Sequence, residues 1–86
     1  MQVRVASVLF DYTGGRAELE AEGTTPADVL ADLERRYPGL RFRVVDEQGA
    51  LRRHMNLFLD ARPCRDLEQS LEGVRCVHLL GALSGG

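Results

Sequence analysis

A helix with legible start and stop signals sits near the middle of this chain and limits what its flanks can become. Gly23-Thr24-Thr25-Pro26 is a sharp start. Thr25 suits the N-cap, Pro26 the first helical position, where a missing N–H costs nothing, and Asp28 the third, close to a capping box. Val29, Leu30, Leu33 and Tyr37 follow at helical spacing, with Asp28, Asp32, Glu34 and Arg35 elsewhere around the wheel. Pro38-Gly39 ends the element. One apolar stripe on one main helix needs a surface to cover it, and the remaining segments read as strands.

Val3 to Phe10 predicts a strand, with Val3, Val5, Ser7 and Leu9 on one face and Arg4, Ala6, Val8 and Phe10 on the other. That second face is more apolar than a solvated one should be. Asp11-Tyr12-Thr13-Gly14-Gly15 predicts a hairpin loop, and with no helix start after it the glycine pair does not make a phosphate cradle. Arg16 to Glu22 alternates, with Ala17, Leu19 and Ala21 inward, as a half-buried strand antiparallel to the first. Leu40 to Gly49 fits either a short strand through Phe42, Val44 and Val45 or one irregular turn. His54 to Asp60 predicts a strand, Ala61-Arg62-Pro63 a turn, Asp66 to Glu72 a single helical turn holding Leu67 and Leu71, and Val74 to Leu80 the final strand.

This order predicts an α+β fold, a mixed four- to five-stranded sheet with one main helix packed across it. If the last strand pairs beside the first, it runs down the middle of the sheet. The expected core is Val5, Leu19, Val29, Leu33, Leu57, Leu59, Val77 and Leu79. Eighty-six residues make one small domain, expected over residues 1–81, with residues 82–86 as a flexible tail.

Composition removes several function classes. A net charge of -2 argues against a phosphate-backbone binder, which needs a basic excess. No apolar run approaches the roughly 20 residues that span a bilayer, and Met1-Gln2-Val3-Arg4 lacks the layout of a signal peptide, so a cytoplasmic location is expected. Cys64 and Cys76 are too few for a disulfide framework and read as reduced thiols. Cys76 and His78, two apart on one strand face, offer two metal ligands without a third, so no metal is expected. No Ser-His-Asp or Cys-His grouping has a third member. All 11 basic side chains are arginine; lysine is absent. The sequence ends at Gly85-Gly86, which contributes nothing to packing and reads either as a frayed end or as the chemically useful part.

The order of elements together with that end resembles the ubiquitin-like β-grasp fold and, more narrowly, the MoaD/ThiS family of sulfur-carrier proteins. The likeness spans nearly the whole chain. Its local matches are Val8-Leu9-Phe10 running to Thr13-Gly14-Gly15, the helix stretch Thr25 to Leu33, Met55-Asn56-Leu57-Phe58-Leu59-Asp60, and Leu79-Leu80-Gly81-Ala82-Leu83-Ser84-Gly85-Gly86. Two positions depart from the family pattern. Gly73-Val74-Arg75 replaces the usual Gly-Asp before the last strand, and Gly81 stands where a proline is common.

The resemblance implies a protein that is not itself an enzyme. In the family the terminal carboxylate, here that of Gly86, is adenylated by an activating enzyme that uses ATP. It then becomes a thiocarboxylate whose sulfur, drawn from a donor such as a sulfurtransferase, passes to a biosynthetic enzyme. The carrier binds no cofactor, and neither a nucleic acid nor a membrane is among its expected partners. The product side stays open among molybdopterin, thiamin, cysteine, a thiolated tRNA base and a specialised metabolite. A ubiquitin-like modifier conjugated through Gly86, or a β-grasp interaction module, is the alternative; a chain without lysine could not form lysine-linked chains on itself. Gly85 and Gly86 fit a narrow catalytic channel because neither has a Cβ. Partner contacts are expected at Phe58, Phe10 and Val8 on one semi-apolar sheet face, and at Leu83 and Ser84 beside the terminus.

Overall fold

Apolar residues two apart build a five-stranded sheet in order β2-β1-β5-β3-β4, and the computed structural model describes it within residues 1–81. The strands are β1 (Gln2–Val5), β2 (Glu18–Glu20), β3 (Met55–Leu59), β4 (Arg62–Cys64) and β5 (Cys76–Gly81). Three helices join them, α1 (Phe10–Thr13), α2 (Pro26–Arg36) and α3 (Leu40–Val44). β1 pairs antiparallel with β2 and parallel with β5, with Val3 opposite Val77 and Val5 opposite Leu79. β5 is therefore central, as its hydrophobic alternation and the expected pairing with the first strand required.

The helix start forms as predicted. Thr25 is extended, its hydroxyl accepts from the Asp28 N–H at 3.2 Å, and Pro26 opens the helix. α2 lays Val29, Leu30 and Leu33 against the sheet, where all eight expected core residues are buried. Leu9, Leu40, Val44, Val45, Leu51 and Met55 join them.

Four local expectations are corrected. The first strand stops at Val5, because Ala6 donates to the Leu79 carbonyl and the chain then winds through a 3-10 turn at Ser7–Leu9 into α1. Winding buries Leu9 and Thr13 together, and Gly14 closes the turn in the left-handed conformation at φ 67°. Phe10 accordingly lies on a helix rather than a strand, and Ala17 is exposed beyond the end of β2. The predicted turn at Ala61-Arg62-Pro63 is the edge strand β4; the tight turn falls at Asp60-Ala61, where Asp60 takes φ 56°. An edge strand tolerates Pro63, which has no N–H to donate. Asp66 to Glu72 is not helical. Its backbone groups bind the start of α2 instead: Ala27 donates to the Leu67 carbonyl at 2.9 Å, and the Leu71 N–H to the Thr24 carbonyl at 3.0 Å.

The segment left open, 40–49, resolves as α3 and a turn. Glu34 bridges α2 to α3 by accepting from the N–H groups of Gly39 and Arg41, each at 2.9 Å. Asp32, placed on the polar side of the wheel by its charge, is buried. It accepts from the Glu22 N–H at 3.0 Å and pairs with Arg35 and, at 3.4 Å, with Arg36.

These bonds set the acid response of the fold. The Arg35 guanidinium and the Glu22 amide hold the Asp32 carboxyl below its ordinary 3.8. Backbone donors lower Asp28 from Thr24, Glu34 from Gly39 and Asp46 from Ala50. In each case the unfolded chain binds protons before the folded one does, so these groups stabilise the fold above their unfolded values and lose that contribution as pH falls through the lowered ones. Melting temperature is expected to be flat from about pH 7 to 5 and to fall steadily below about pH 4, less steeply in Asp32→Asn. A profile flat down to about pH 2.5 would contradict this.

Candidate functional site

β5 is held at both ends. At its start, the Asp60 carboxylate accepts from the N–H groups of Arg75, at 3.1 Å, and Cys76, at 3.0 Å, while the Asp60 N–H donates to the Cys76 carbonyl. This clamp holds the start of the strand directly after Gly73-Val74-Arg75, the turn that departs from the family pattern. Asp60 must do so from a left-handed backbone, which aspartate tolerates better than most residues. Asp60→Ala is expected to cost roughly 2 kcal/mol, by losing the charged acceptors and the polar side chain that eases a left-handed backbone, and Asp60→Asn less than half of that. Chemical denaturation measures the difference, and equal stability of the two variants would rule out the clamp.

At its other end β5 pairs Gly81 with Met55 and Leu80 with Asn56. Gly81 shares the inward parity of Val77 and Leu79, and a Cβ on it would meet Val8 Cγ1 at 3.2 Å. Glycine here lets the Val8 turn close over the end of the central strand, which accounts for its standing where the family often has proline.

The outward sheet face carries a row formed by pairing: Glu18 beside Arg4, Arg4 beside His78, His78 beside Phe58, and Phe58 beside Pro63. Arg4 and Glu18 are ion-paired at 3.2 Å on an exposed rim, while His78, Phe58, Asn56 and Leu80 are half-buried. An apolar centre with a charged rim suits a protein partner.

The predicted single docking face does not form. Phe58 lies on the outward face, as expected. Val8 is 40% exposed but sits at the inward end of β5, and Phe10 packs against the core from α1. The sheet-face placement of both followed from reading Val3 to Phe10 as one strand. Leu83, Ser84, Gly85 and Gly86 lie outside the described residues. Burial pushes the Cys76 thiol up, so it stays protonated, and the Cys64 thiol donates to the Asp66 carbonyl at 3.2 Å. Among the described residues no three His, Cys, Asp or Glu side chains gather as metal ligands.

Sequence reasoning missed Arg65, whose guanidinium binds the carbonyls of Leu51, Arg52 and Met55 at 3.0–3.2 Å. It also missed Phe42, 54% exposed on α3, with the Arg52 guanidinium 4.7 Å from its ring centroid. Arg65 had no periodic signal because it acts from a loop, and Phe42 fell in the stretch that fitted either a short strand or a turn, which left its face unassigned.

A mixed sheet with its last strand central and parallel to its first, crossed by one main helix, defines a ubiquitin-like β-grasp protein. Within that class, the chain belongs to the family of the sulfur carrier protein CysO, MoaD/ThiS-like carriers. It is 32% identical over 89 residues to the sulfur carrier protein CysO of Mycobacterium bovis, covering 98% of this chain and 96% of that one. Among solved structures, a chain of the Amycolatopsis orientalis BexX/CysO complex superposes with a TM-score of 0.89 at 30% identity, covering 99% of this chain and 98% of that one. Mycobacterium tuberculosis CysO superposes at 0.87 with 29% identity, covering 95% and 98%. No protein-family profile matches the chain. The chain is thus a sulfur carrier, a small carrier rather than a catalyst. No helix among the described residues is long and apolar enough to cross a membrane.

Proposed function

We propose that the Gly86 carboxylate is the group that carries sulfur. The observation supporting this most directly is the place of β5: the central strand, clamped by Asp60 at its start, ends at Gly81 and is followed in sequence by Ala82-Leu83-Ser84-Gly85-Gly86. A carboxylate is a poor electrophile, so it needs a leaving group before sulfur can be added. A Gly86 oxygen attacks the α-phosphorus of ATP, held by an adenylating partner enzyme, and pyrophosphate leaves. Sulfide then attacks the acyl carbon, the C–O bond to AMP breaks, and the thiocarboxylate remains. Where a sulfurtransferase-type donor supplies the sulfur as a persulfide, a thiol reductant is oxidised to a disulfide as the sulfur is released at the sulfide level. In an acceptor enzyme the thiocarboxylate sulfur attacks an electrophilic carbon of the substrate, whose leaving group departs. Water then cleaves the acyl C–S bond of the resulting thioester, leaving the sulfur on the product and restoring the Gly86 carboxylate. The carrier binds no cofactor of its own; ATP belongs to the activating enzyme.

The outward face centred on Phe58 and Leu80 is the docking surface for these enzymes, with Val8 as a separate contact beside Gly81. Titrating the chain with a cognate adenylating enzyme, ATP and sulfide, then weighing it intact, tests the reading. A mass gain equal to one oxygen replaced by one sulfur, lost on alkaline hydrolysis, is expected. An unchanged mass with an enzyme that thiolates a related carrier would refute it. The same preparation tests the modifier reading, which requires amide adducts on other proteins.

A further inference from the structure

We propose that the α3 face bearing Arg41, Phe42 and Arg43, with Arg52, Arg53 and His54 beside it, is a second docking surface, one that takes an acidic protein segment with an apolar anchor. Leu40 and Val44 point into the core, so the three residues between them face out. Phe42 and Val8 are the large hydrophobic residues exposed among the described ones, and Phe42 is the more exposed. Its ring is set rather than loose: Arg52 stacks on it and donates from Nε to the Phe42 carbonyl at 2.8 Å. The Arg52 N–H donates to the Val44 carbonyl, and Arg65 fixes the Arg52 carbonyl from behind.

Charge decides the occupant. Arg41 and Arg43 flank Phe42 on α3, Arg52 lies over its ring, and Arg53 and His54 follow Arg52 in sequence, in a chain whose net charge is -2. Arg4, Arg35 and Arg36 have carboxylate partners within the fold; among the described residues Arg41, Arg43, Arg52 and Arg53 make no ion pair, although the charges of Arg41 and Arg52 help to hold down the nearby Glu34 and Asp46 carboxyls. Guanidinium groups left unpaired around an exposed ring are suited to carboxylates flanking an apolar side chain, which the ring and the Arg52 plane would receive. Overall negative charge disfavours nucleic acid as the occupant. The surface also adjoins the strand that leads to the terminus, since Arg53 and His54 immediately precede Met55, the partner of Gly81. A protein seated here lies beside the carrier's outlet while leaving the Phe58 face free.

The test is a titration of the isotopically labelled full chain, followed by amide NMR, with a synthetic peptide of about eight glutamates around a central Leu-Trp pair. Shifts are expected at Arg41–Val44 and Arg52–His54, with affinity falling about tenfold or more between roughly 50 and 300 mM salt. Phe42→Ser should weaken binding roughly tenfold, and Arg43→Glu with Arg53→Glu should remove it, with melting temperatures unchanged because all three side chains are exposed. Shifts elsewhere, or affinity equal in the variants, overturns the proposal. So does an oligouridylate that moves the same amides at lower concentration than the peptide does, which would assign the surface to RNA. No thiocarboxylate is formed or read in this titration, so its outcome is independent of the carrier chemistry.

Discussion

Removing Gly86 alone is expected to lower the rate of thiocarboxylate formation at least a hundredfold while leaving the melting temperature unchanged. The truncated chain still ends in a glycine carboxylate, Gly85, so the reacting group keeps its chemistry. What it loses is reach, because one residue shortens an extended chain by about 3.5 Å. Adenylation places a carboxylate oxygen in line with a phosphorus inside a partner enzyme, and a misplacement of about 1 Å in such a step can cost a hundredfold. The five described strands and the core between them are built from residues 1–81, so the melting temperature is expected to stay where it is. Single-turnover assays by intact mass give the rate, and thermal melting gives the control. Thiolation of the truncated chain at the full rate would move the reactive group away from Gly86.

Gly23→Ala is expected to give the largest loss of stability from adding a single methyl group. A Cβ at this position would lie 2.6 Å from the Asp28 Cβ and 2.8 Å from the Val29 nitrogen, closer than non-bonded atoms approach. The obstacle is helix backbone, which cannot rotate away as a side-chain tip can. Relief requires α2 to move off the Gly23 loop. That movement would disturb the Thr25 cap, the Asp28 bonds to the Thr24 N–H and hydroxyl, and the link from Ala27 to Leu67. A cost of roughly 3 kcal/mol follows, at the upper end of overpacking effects and a large part of the total for a domain of this size. It corresponds to a drop in melting temperature of about 12–20 °C. A variant melting within about 2 °C of the parent would mean that the loop, not the helix, gives way.

These two expectations come from different sources. The first could be framed from the sequence, since Gly85-Gly86 stands at its end and the body resembles a carrier. The second depends on the tertiary structure. Gly23 in the sequence is an ordinary glycine before a helix start, and only the approach of Asp28 and Val29 gives it a steric role.

The same division runs through the rest of the molecule. Where one periodicity acted over several residues, it was readable. Val29, Leu30 and Leu33 at helical spacing, and Met55, Leu57 and Leu59 at strand spacing, each bury one face whatever their neighbours do. Val3 to Phe10 misled because its alternation continues past Val5, whereas the hydrogen bonds do not. The Ala6 N–H is taken by Leu79, a residue more than seventy positions away, and the chain turns there. That turn decided whether Val8 and Phe10 could share a face with Phe58. Asp32 misled in the opposite sense: its charge predicted solvent, but Glu22, Arg35 and Arg36 provide donors for its carboxylate in a nearly buried position.

The sequence by itself determined the helix with its caps, the strands β3 and β5, and the core they share, because each depends on local periodicity or on residue chemistry. Tertiary structure alone decided where β1 stops, that Asp60 clamps the start of β5, that Asp66 to Glu72 serves α2 rather than forming a helix, and that Phe42 is exposed beneath the Arg52 guanidinium. Each of those rests on a hydrogen bond or contact between distant residues, and local pattern carries no record of such a partner.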